Sequence, residues 1–173
     1  MTVLCGLDSL AGGTWLGVTR TGAFAVLTNI TEHPRPKVDE HGQPLRSRGE
    51  LVMAWMETHQ DTRPMDAADI LQDLYRTRQR YAGFNLLVGD VHGTEVHMGY
   101  VSNRVEATEP DILTATGQVY GLSNSTLHSP WPKIDHGKSL LQRVLSEPRT
   151  STDDLVERLF GMMGYVTAAA NGQ

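Results

Sequence analysis

The fold is decided first by residues 14–30, which read TWLGVTRTGAFAVLTNI. Residues 14–19 and 23–30 are β-rich runs, and they are joined by Arg20-Thr21-Gly22. Because small and flexible residues favour a tight connection between two such runs, the pattern predicts a β-hairpin. It is the clearest hairpin in the chain.

Hydrophobic periodicity on either side of the hairpin predicts the other elements. Residues 84–90 and 95–101 form a second strand pair around a turn in which Gly93 can take a positive φ. The remaining elements are a surface loop at 31–47, helices at 48–59, 66–81, 133–145 and 152–163, and a short strand at 118–122. The apolar stripes expected on the helices are Leu51, Val52, Trp55 and Met56; Ile70, Leu71, Leu74 and Tyr75; Ile134, Leu140, Leu141 and Val144; and Leu155, Leu159 and Phe160. Ser151 or Thr152 is the expected N-cap of the last helix.

The order of strands, helices, strands and helices indicates an α+β fold with largely antiparallel sheets, rather than an alternating parallel α/β sheet. A chain of 173 residues fits one domain, which buries roughly 70% of the surface of the unfolded chain. We therefore expect a single domain over residues 1–173, without an internal repeat or linker.

Net charge, cysteine content and the length of the apolar runs limit the possible partners and location of the protein. The net charge of −5 argues against nucleic acid as a partner, because phosphate-binding surfaces need a surplus of Lys and Arg. Arg76, Arg78 and Arg80 share a predicted helix with Asp66, Asp69 and Asp73, which indicates a solvated face of mixed charge. The single cysteine excludes an internal disulfide, and no apolar run is long enough to cross a bilayer. A cytoplasmic protein is the expectation.

Several polar and aromatic residues allow a structural and a functional interpretation. Asn29 and Asn124 each follow a short β-rich run, and residues of this type commonly initiate turns. His92 and His97 bracket the second hairpin turn as a surface pair or as ligands for a metal or haem iron. The other candidates are an Arg48–Glu50 ion pair, Ser123 or Ser125 with a histidine in a hydrolytic triad, and Trp15 with Trp131 as core residues or as the lining of an apolar pocket.

Five phrases recur in the order of one protein family. They are Gly12-Gly13-Thr14-Trp15-Leu16-Gly17, Leu27-Thr28-Asn29, Ser47-Arg48-Gly49-Glu50-Leu51-Val52, Gly83-Phe84-Asn85-Leu86-Leu87-Val88-Gly89-Asp90, and Tyr120-Gly121-Leu122-Ser123-Asn124-Ser125 followed by Pro130-Trp131-Pro132-Lys133. Together they cover about residues 3–160, and five ordered matches are far more specific than one short motif. On these phrases the chain resembles the transport and Golgi organisation protein 2 family, the NRDE-type proteins.

The chain departs from that family at both ends. Members begin with Met-Cys and carry an Asn-Arg-Asp-Glu phrase, and neither feature occurs here. Members also continue into closing strands beyond the point where this chain ends. We therefore expect a partial domain that lacks the N-terminal segment and the C-terminal strands, with unpaired sheet edges prone to association.

The resemblance implies a relation to the N-terminal-nucleophile hydrolases, whose sheets lie between helix layers in an αββα order. In that group an N-terminal thiol attacks an amide, and asparagine side chains stabilise the oxyanion. Asn29 and Asn124 match those asparagines. Cys5 does not match the nucleophile, since its neighbours align downstream of it, and we expect a buried or semi-buried structural thiol. This chain alone is then expected to be inactive as a carbon–nitrogen hydrolase.

A second function implied by the resemblance is binding and trafficking of haem, lipid or acyl groups, linked to Golgi organisation and secretion. The expected ligand is accordingly a small amide, an acyl compound or haem, with no cofactor required for catalysis. A third reading is a nonfunctional remnant whose core cannot close. Ancestry of the fold does not by itself decide among them.

Overall fold

The computed structural model describes residues 3–34, 36–58, 67–105, 109–113, 117–148 and 150–164. Its sheet has six strands: β1 (Val3–Cys5), β2 (Leu16–Thr19), β3 (Phe24–Asn29), β4 (Phe84–His92), β5 (Glu95–Ser102) and β6 (Asp111–Leu113). The helices of these residues are α1 (Gly49–Thr58), α2 (Ala67–Thr77), α3 (Pro132–Ser146) and α4 (Thr152–Met163), and a 3-10 turn, Arg78–Arg80, follows α2. The α+β class is confirmed.

Every neighbouring pair in the sheet is antiparallel, and the strands lie side by side in chain order from β1 to β6. The hairpin at residues 14–30 is confirmed as β2 and β3, with Gly22 at a φ of 101° in the turn. The second hairpin is confirmed as β4 and β5, with Gly93 at a φ of 62°. The central pair, β3 and β4, is joined through both intervening helices.

The core lies between α1, α2 and one face of the sheet. Side chains alternate between the two faces of a strand, and Ala25 and Leu27 share a face with their partners Val88 and Leu86. The predicted α1 stripe is confirmed, since all four of its residues are at most 1% exposed. Leu71, Leu74 and Tyr75 of α2 are buried beside them, and the two helices cover one face of the sheet.

One predicted strand and one predicted core residue are wrong. Residues 118–122 form no strand, because the position beside β5 is taken by β6, whose residues pair with Met98, Gly99 and Tyr100. Phe160 does not belong to a buried stripe of α4, since it is 66% exposed. The strand β1 was not predicted, because three residues carry too little periodicity to be recognised.

The two C-terminal helices pack chiefly on each other. Leu140 and Val144 of α3 are buried, whereas no residue of α4 reaches that level of burial. The α4 helix begins as predicted, since the Ser151 hydroxyl accepts a hydrogen bond from the Asp154 amide at 3.1 Å. His59 and Asp66, the predicted ends of two helices, lie outside the described residues.

Candidate functional site

Antiparallel pairing gathers the family phrases at one end of the sheet. There β1, β3 and β5 end while β2 and β4 begin, as the pairs Cys5–Gly17, Leu16–Val26 and Asn29–Phe84 show. This end, with the loop at residues 6–15 and the segment at residues 123–128, is called the Asn29 end below. It holds both asparagines that the resemblance singled out.

Asn29 is the last residue of β3. Its side chain lies on the helix-covered side of the sheet together with Leu27 and Ala25, because every second residue of a strand faces the same side. Its side-chain Oδ1 is buried and receives no hydrogen bond from the part of the chain that the structure describes. Its main-chain carbonyl, in contrast, accepts a hydrogen bond from Asn124 Nδ2 at 2.8 Å. An unpaired buried amide oxygen costs about 1–3 kcal/mol, so the position is a candidate for a ligand contact.

Asn124 is placed at this end by two contacts with β3 and the residues after it. Its side chain donates to the Asn29 carbonyl, and its own carbonyl accepts from the Thr31 amide at 3.1 Å. The structure therefore brings the two asparagines together through main-chain groups. One hydrogen of the Asn124 amide is engaged in this contact and is not free to stabilise an oxyanion.

A buried polar network holds the segment at residues 123–128 against the sheet, and Asn85 is its centre. Asn85 Nδ2 donates to Thr28 Oγ1 at 3.1 Å and to the Ser125 carbonyl at 2.8 Å, and Asn85 Oδ1 accepts from the Tyr100 hydroxyl at 2.7 Å. Thr28 Oγ1 in turn donates to the Ser123 carbonyl at 2.6 Å. Since Asn85 is 0% exposed, each of these bonds replaces one that water would otherwise make.

The same segment continues over β5 to β6. The Leu127 amide donates to the Tyr100 hydroxyl at 3.1 Å, and His128 Nε2 lies 2.7 Å from Asp111 Oδ2. Burial raises the pKa of Tyr100, so the phenol stays protonated and can donate to Asn85. Residues 123–128 thus cross β3, β4, β5 and β6, with a side-chain hydrogen bond at each strand.

Sequence reasoning missed Asn85 and Tyr100, although both were quoted or assigned to strands. A signal was present, because Asn85 is an amide among the apolar residues with which β4 begins. Such a residue is expected to be hydrogen-bonded when both faces are buried. Its partners could not be named, since they come from β3, β5 and a segment some 40 residues away.

The loop between β1 and β2 forms a cleft at the Asn29 end. The cleft has a volume of about 550 Å³ and is lined by Gly6, Leu7, Asp8, Ser9, Thr14, Trp15 and Leu16. Trp15 is 58% exposed and Leu7 is 70% exposed, so the interpretation of Trp15 as a core residue is wrong. Trp131 is also partly exposed, but it lies at the start of α3 beneath Lys133 and does not line this cleft.

The cleft loop is held in shape by its own hydrogen bonds. Asp8 Oδ1 accepts from the amides of Leu10 and Ala11 at 2.9 and 3.1 Å, and these bonds hold the pKa of Asp8 below its usual value. The main chain of Asp8 exchanges further bonds with Gly12 and Gly13. Gly13 also contacts Gly49 so closely that an added Cβ would lie 2.6 Å from the Gly49 carbonyl carbon. Two family phrases therefore meet where α1 begins.

Charged residues stabilise the turn before β4. Arg48 Nη1 donates to the Gly83 carbonyl at 2.9 Å, while Glu32 Oε2 accepts from the Gly83 amide at 2.7 Å. Arg104 Nε completes the group by donating to Glu32 Oε1 at 2.7 Å. Glu50 forms an ion pair with Arg46, one turn earlier in the chain. The contacts of Arg48 and Glu50 are thus those of structural residues.

The other residues singled out from the sequence, at the Asn29 end and elsewhere, make contacts that differ from one to the next. His92 and His97 do meet across the hairpin, where each lies within 3.3 Å of the Asp90 carboxylate. Ser125 Oγ donates to the Ser129 carbonyl, so its hydroxyl is engaged away from a histidine. Cys5 is half-buried at the end of β1, as expected of a structural thiol. Arg76 pairs with Asp73 on an exposed face of α2, as expected of a solvated helix.

Neither a metal-binding cluster nor a membrane-spanning helix occurs in the described residues. Across those ranges, no group of three or more His, Cys, Asp or Glu side chains has an arrangement that could hold a metal ion. None of the helices found there is long and apolar enough to span a bilayer.

Comparison with known proteins identifies the same family as the sequence phrases that meet at the Asn29 end. A sequence profile described as Transport and Golgi organisation 2 matches residues 1–172. The Transport and Golgi organization 2 homolog of Mus musculus is 34% identical over 158 residues, which are 89% of this chain and 52% of the mouse protein. The human homolog has the same identity and coverage, and the Drosophila melanogaster protein is 29% identical over 142 residues. The chain spans about half the length of these relatives. It belongs to the transport and Golgi organisation 2 family.

Proposed function

We propose that the chain binds an apolar small molecule in the cleft beside Trp15, in keeping with a role in transport or Golgi organisation like that named for its relatives. The observation that carries the proposal is the exposure of Trp15 and Leu7 around a cavity of about 550 Å³. Ligand pockets are concave, mostly apolar and of this size. An acyl chain, a sterol-like ring or the porphyrin of haem would each fit this chemistry.

The polar groups of the cleft set the orientation of such a ligand. Asp8 is held in its ionised form by two main-chain amides, so it disfavours an anionic group in its immediate neighbourhood. A fatty acid or haem would therefore place its carboxylates towards solvent and its apolar body against Trp15. Because the loop at residues 8–13 is closed by its own hydrogen bonds, little ordering is needed on binding.

Fluorescence titration tests this function. Haemin and a long-chain fatty acid, added separately, are expected to change the tryptophan emission saturably. Trp15→Ala should weaken binding of the active probe by ~10-fold or more, because the indole supplies a large part of the apolar contact. Trp131→Ala removes another partly exposed tryptophan outside the cleft and is expected to leave the affinity unchanged. Equal affinity of the Trp15→Ala variant and the unchanged chain would disprove the cleft as the site.

A second candidate is an amide hydrolase of the N-terminal-nucleophile type, with an αββα arrangement of which this chain supplies one sheet and one helix layer. The contact between Asn29 and Asn124 favours it, because it brings together two amide side chains, each with an Nδ2 group of the kind that donates to an oxyanion. In this proposal Asn29 and Asn124 are the oxyanion donors, and the nucleophile is not Cys5. The engagement of Asn124 with the Asn29 carbonyl makes Asn29 the more available donor.

The hydrolase candidate can be tested by binding alone. An acyl phosphonate presents an anionic oxygen like that of a tetrahedral intermediate, so it should bind through the donors. Asn29→Leu is expected to weaken its binding ~100-fold, the usual effect of removing one oxyanion donor. Gln118→Leu, a change of the same kind at an exposed position, serves as the control. Undiminished binding to the Asn29→Leu variant would exclude this role.

A further inference from the structure

Of the described residues that line the cleft beside Trp15, called the Trp15 cleft below, Asp8 alone carries a charge. The sequence explains this, because residues 1–19 contain no lysine, arginine or histidine and no acidic residue other than Asp8. None of the ion pairs formed among the described residues includes Asp8. The wall of the cleft therefore holds a carboxylate without a basic side chain beside it.

Hydrogen bonds of the loop fix this carboxylate and leave its second oxygen open. Oδ1 accepts from the amides of Leu10 and Ala11, while no described residue donates to Oδ2. The main chain closes the same turn, since the Gly12 amide donates to the Asp8 carbonyl at 2.9 Å and the Asp8 amide donates to the Gly13 carbonyl at 2.8 Å. The amides that Oδ1 accepts from keep the pKa of Asp8 below its usual value, so the group is ionised at neutral pH.

The indole of Trp15 adds a second feature that attracts positive charge. It lines the same cleft as Asp8 and is 58% exposed, so much of the ring is accessible to a ligand. The face of an aromatic ring carries partial negative charge and attracts a cation, and tryptophan does so more strongly than tyrosine or phenylalanine. The rest of the lining consists of glycine, leucine, serine and threonine, which add no charge. A carboxylate and an indole in one cleft together favour a positively charged group.

We propose that the Trp15 cleft takes a ligand with a cationic head and an apolar tail, of the alkylammonium or quaternary ammonium class. The head lies between the open oxygen of Asp8 and the Trp15 ring, and the tail lies against the leucines of the cleft, Leu7 and Leu16. This inference rests on the ligand-binding function proposed above and names the class of ligand. It separates such compounds from a fatty acid, whose carboxylate finds no cation in the cleft wall and stays in solvent.

The net charge of the chain, −5, also attracts cations, and Asp39 allows this general effect to be separated from that of Asp8. Asp39 stands in a turn of the same kind, where its Oδ1 accepts from the amides of His41 and Gln43 at 2.9 and 2.8 Å. It does not line the Trp15 cleft. Replacing either aspartate with asparagine changes the net charge equally, so only a local effect distinguishes the two variants.

Isothermal titration calorimetry with two probes of equal chain length tests the proposal. Dodecyltrimethylammonium is the cationic probe and dodecanoate is the anionic probe, and both are used below the concentrations at which they form micelles. The unchanged chain is expected to bind the cationic probe ~10-fold more tightly, the combined effect of a cation–π contact and an exposed ion pair. Asp8→Asn should abolish this preference, because the amide oxygen still accepts from Leu10 and Ala11 while the charge is gone. Asp39→Asn is the matched control and should keep it.

Circular dichroism identifies a variant that has failed to fold. Should Asp8→Asn do so, Asp8→Ser decides, because a serine hydroxyl forms turn bonds of the same kind without a charge. Loss of the preference in either folded variant supports the proposal. A preference that survives in them, or that Asp39→Asn also removes, would overturn it.

The two proposals fail by different results. Dodecanoate bound as tightly as dodecyltrimethylammonium by the unchanged chain would overturn the cationic class alone, as long as Trp15→Ala weakens the binding. Absence of binding by dodecyltrimethylammonium would also overturn it. The function proposed above fails only if haemin and the fatty acid do not bind at Trp15 either.

Discussion

Asn85 shows how one buried side chain organises the Asn29 end. Its amide joins Thr28, Tyr100 and Ser125, which belong to two other strands and to the segment at residues 123–128. That segment also carries Asn124, whose position beside Asn29 therefore depends on Asn85. The two candidate site residues, Asn29 and Asn124, thus depend for their positions on side chains that have no direct role in the site.

Replacing Asn85 with leucine is expected to destabilise the chain by roughly 2–4 kcal/mol. Leucine has a similar shape but leaves the Tyr100 hydroxyl and the Ser125 carbonyl without their buried partner, at about 1–3 kcal/mol for each group. The midpoint of urea unfolding measures the loss. Gln118→Leu, which alters an exposed amide, should stay within about 0.5 kcal/mol. A decrease in the free energy of unfolding smaller than the contribution of one hydrogen bond would contradict this account of Asn85.

Because Tyr100 is buried, we expect the free energy of unfolding to decrease in alkaline solution. Burial raises its pKa above the ordinary value of 10.0, so the folded chain retains a proton that the unfolded chain releases. Since the unfolded state then binds fewer protons, the free energy of unfolding falls as the pH rises above about 10. Tyr100→Phe should make this decline shallower in unfolding experiments between neutral pH and pH 11. An unchanged pH dependence would show that Tyr100 titrates alike in both states.

Close packing between elements accounts for several glycines of the family phrases. Gly13 and Gly49 bring the β1–β2 loop against the start of α1, and Gly17 lets β2 approach Met56 on the same helix. Leu71 of α2 lies over Gly99 of β5 in the same way. The helix layer can therefore lie directly on the sheet, which places the Trp15 cleft next to the strand ends.

Gly13→Ala is expected to cost about 2 kcal/mol, because the new Cβ would lie within 2.7 Å of main-chain atoms of Gly49 that cannot rotate away. The same change at Gly137, in α3, meets nothing within 4 Å. Gly137→Ala should stabilise the chain by about 0.5–1 kcal/mol, since alanine is the better helix former. Thermal unfolding compares the two, and a tolerated Gly13→Ala would show that the loop can move away from α1.

The whole molecule divides into a well-buried sheet with two helices and a less buried helical pair. Leu86 and Val88 of β4 are 0% exposed, whereas α4 has no residue in the core. The network around Asn85 fastens residues 123–128 to the sheet just before α3 begins.

Hydrogen exchange should reveal this division. Amides of β3, β4 and β5 are expected to exchange only on global unfolding, while those of α4 exchange through local opening at a lower free energy. Mass spectrometry of peptides from a single time course gives both rates. Exchange of the α4 amides as slow as that of β4 would show that the helical pair unfolds with the sheet.

Local patterns in the sequence determined the helices, the two hairpins, the α+β class and the family, because periodicity and turn residues act between neighbours in the chain. Only the tertiary structure decided that β6 takes the place expected for residues 118–122 and that Asn85 and Tyr100 hold the site together. It also showed that Trp15 faces a cleft. These features depend on contacts between residues far apart in the chain, which no local pattern can specify.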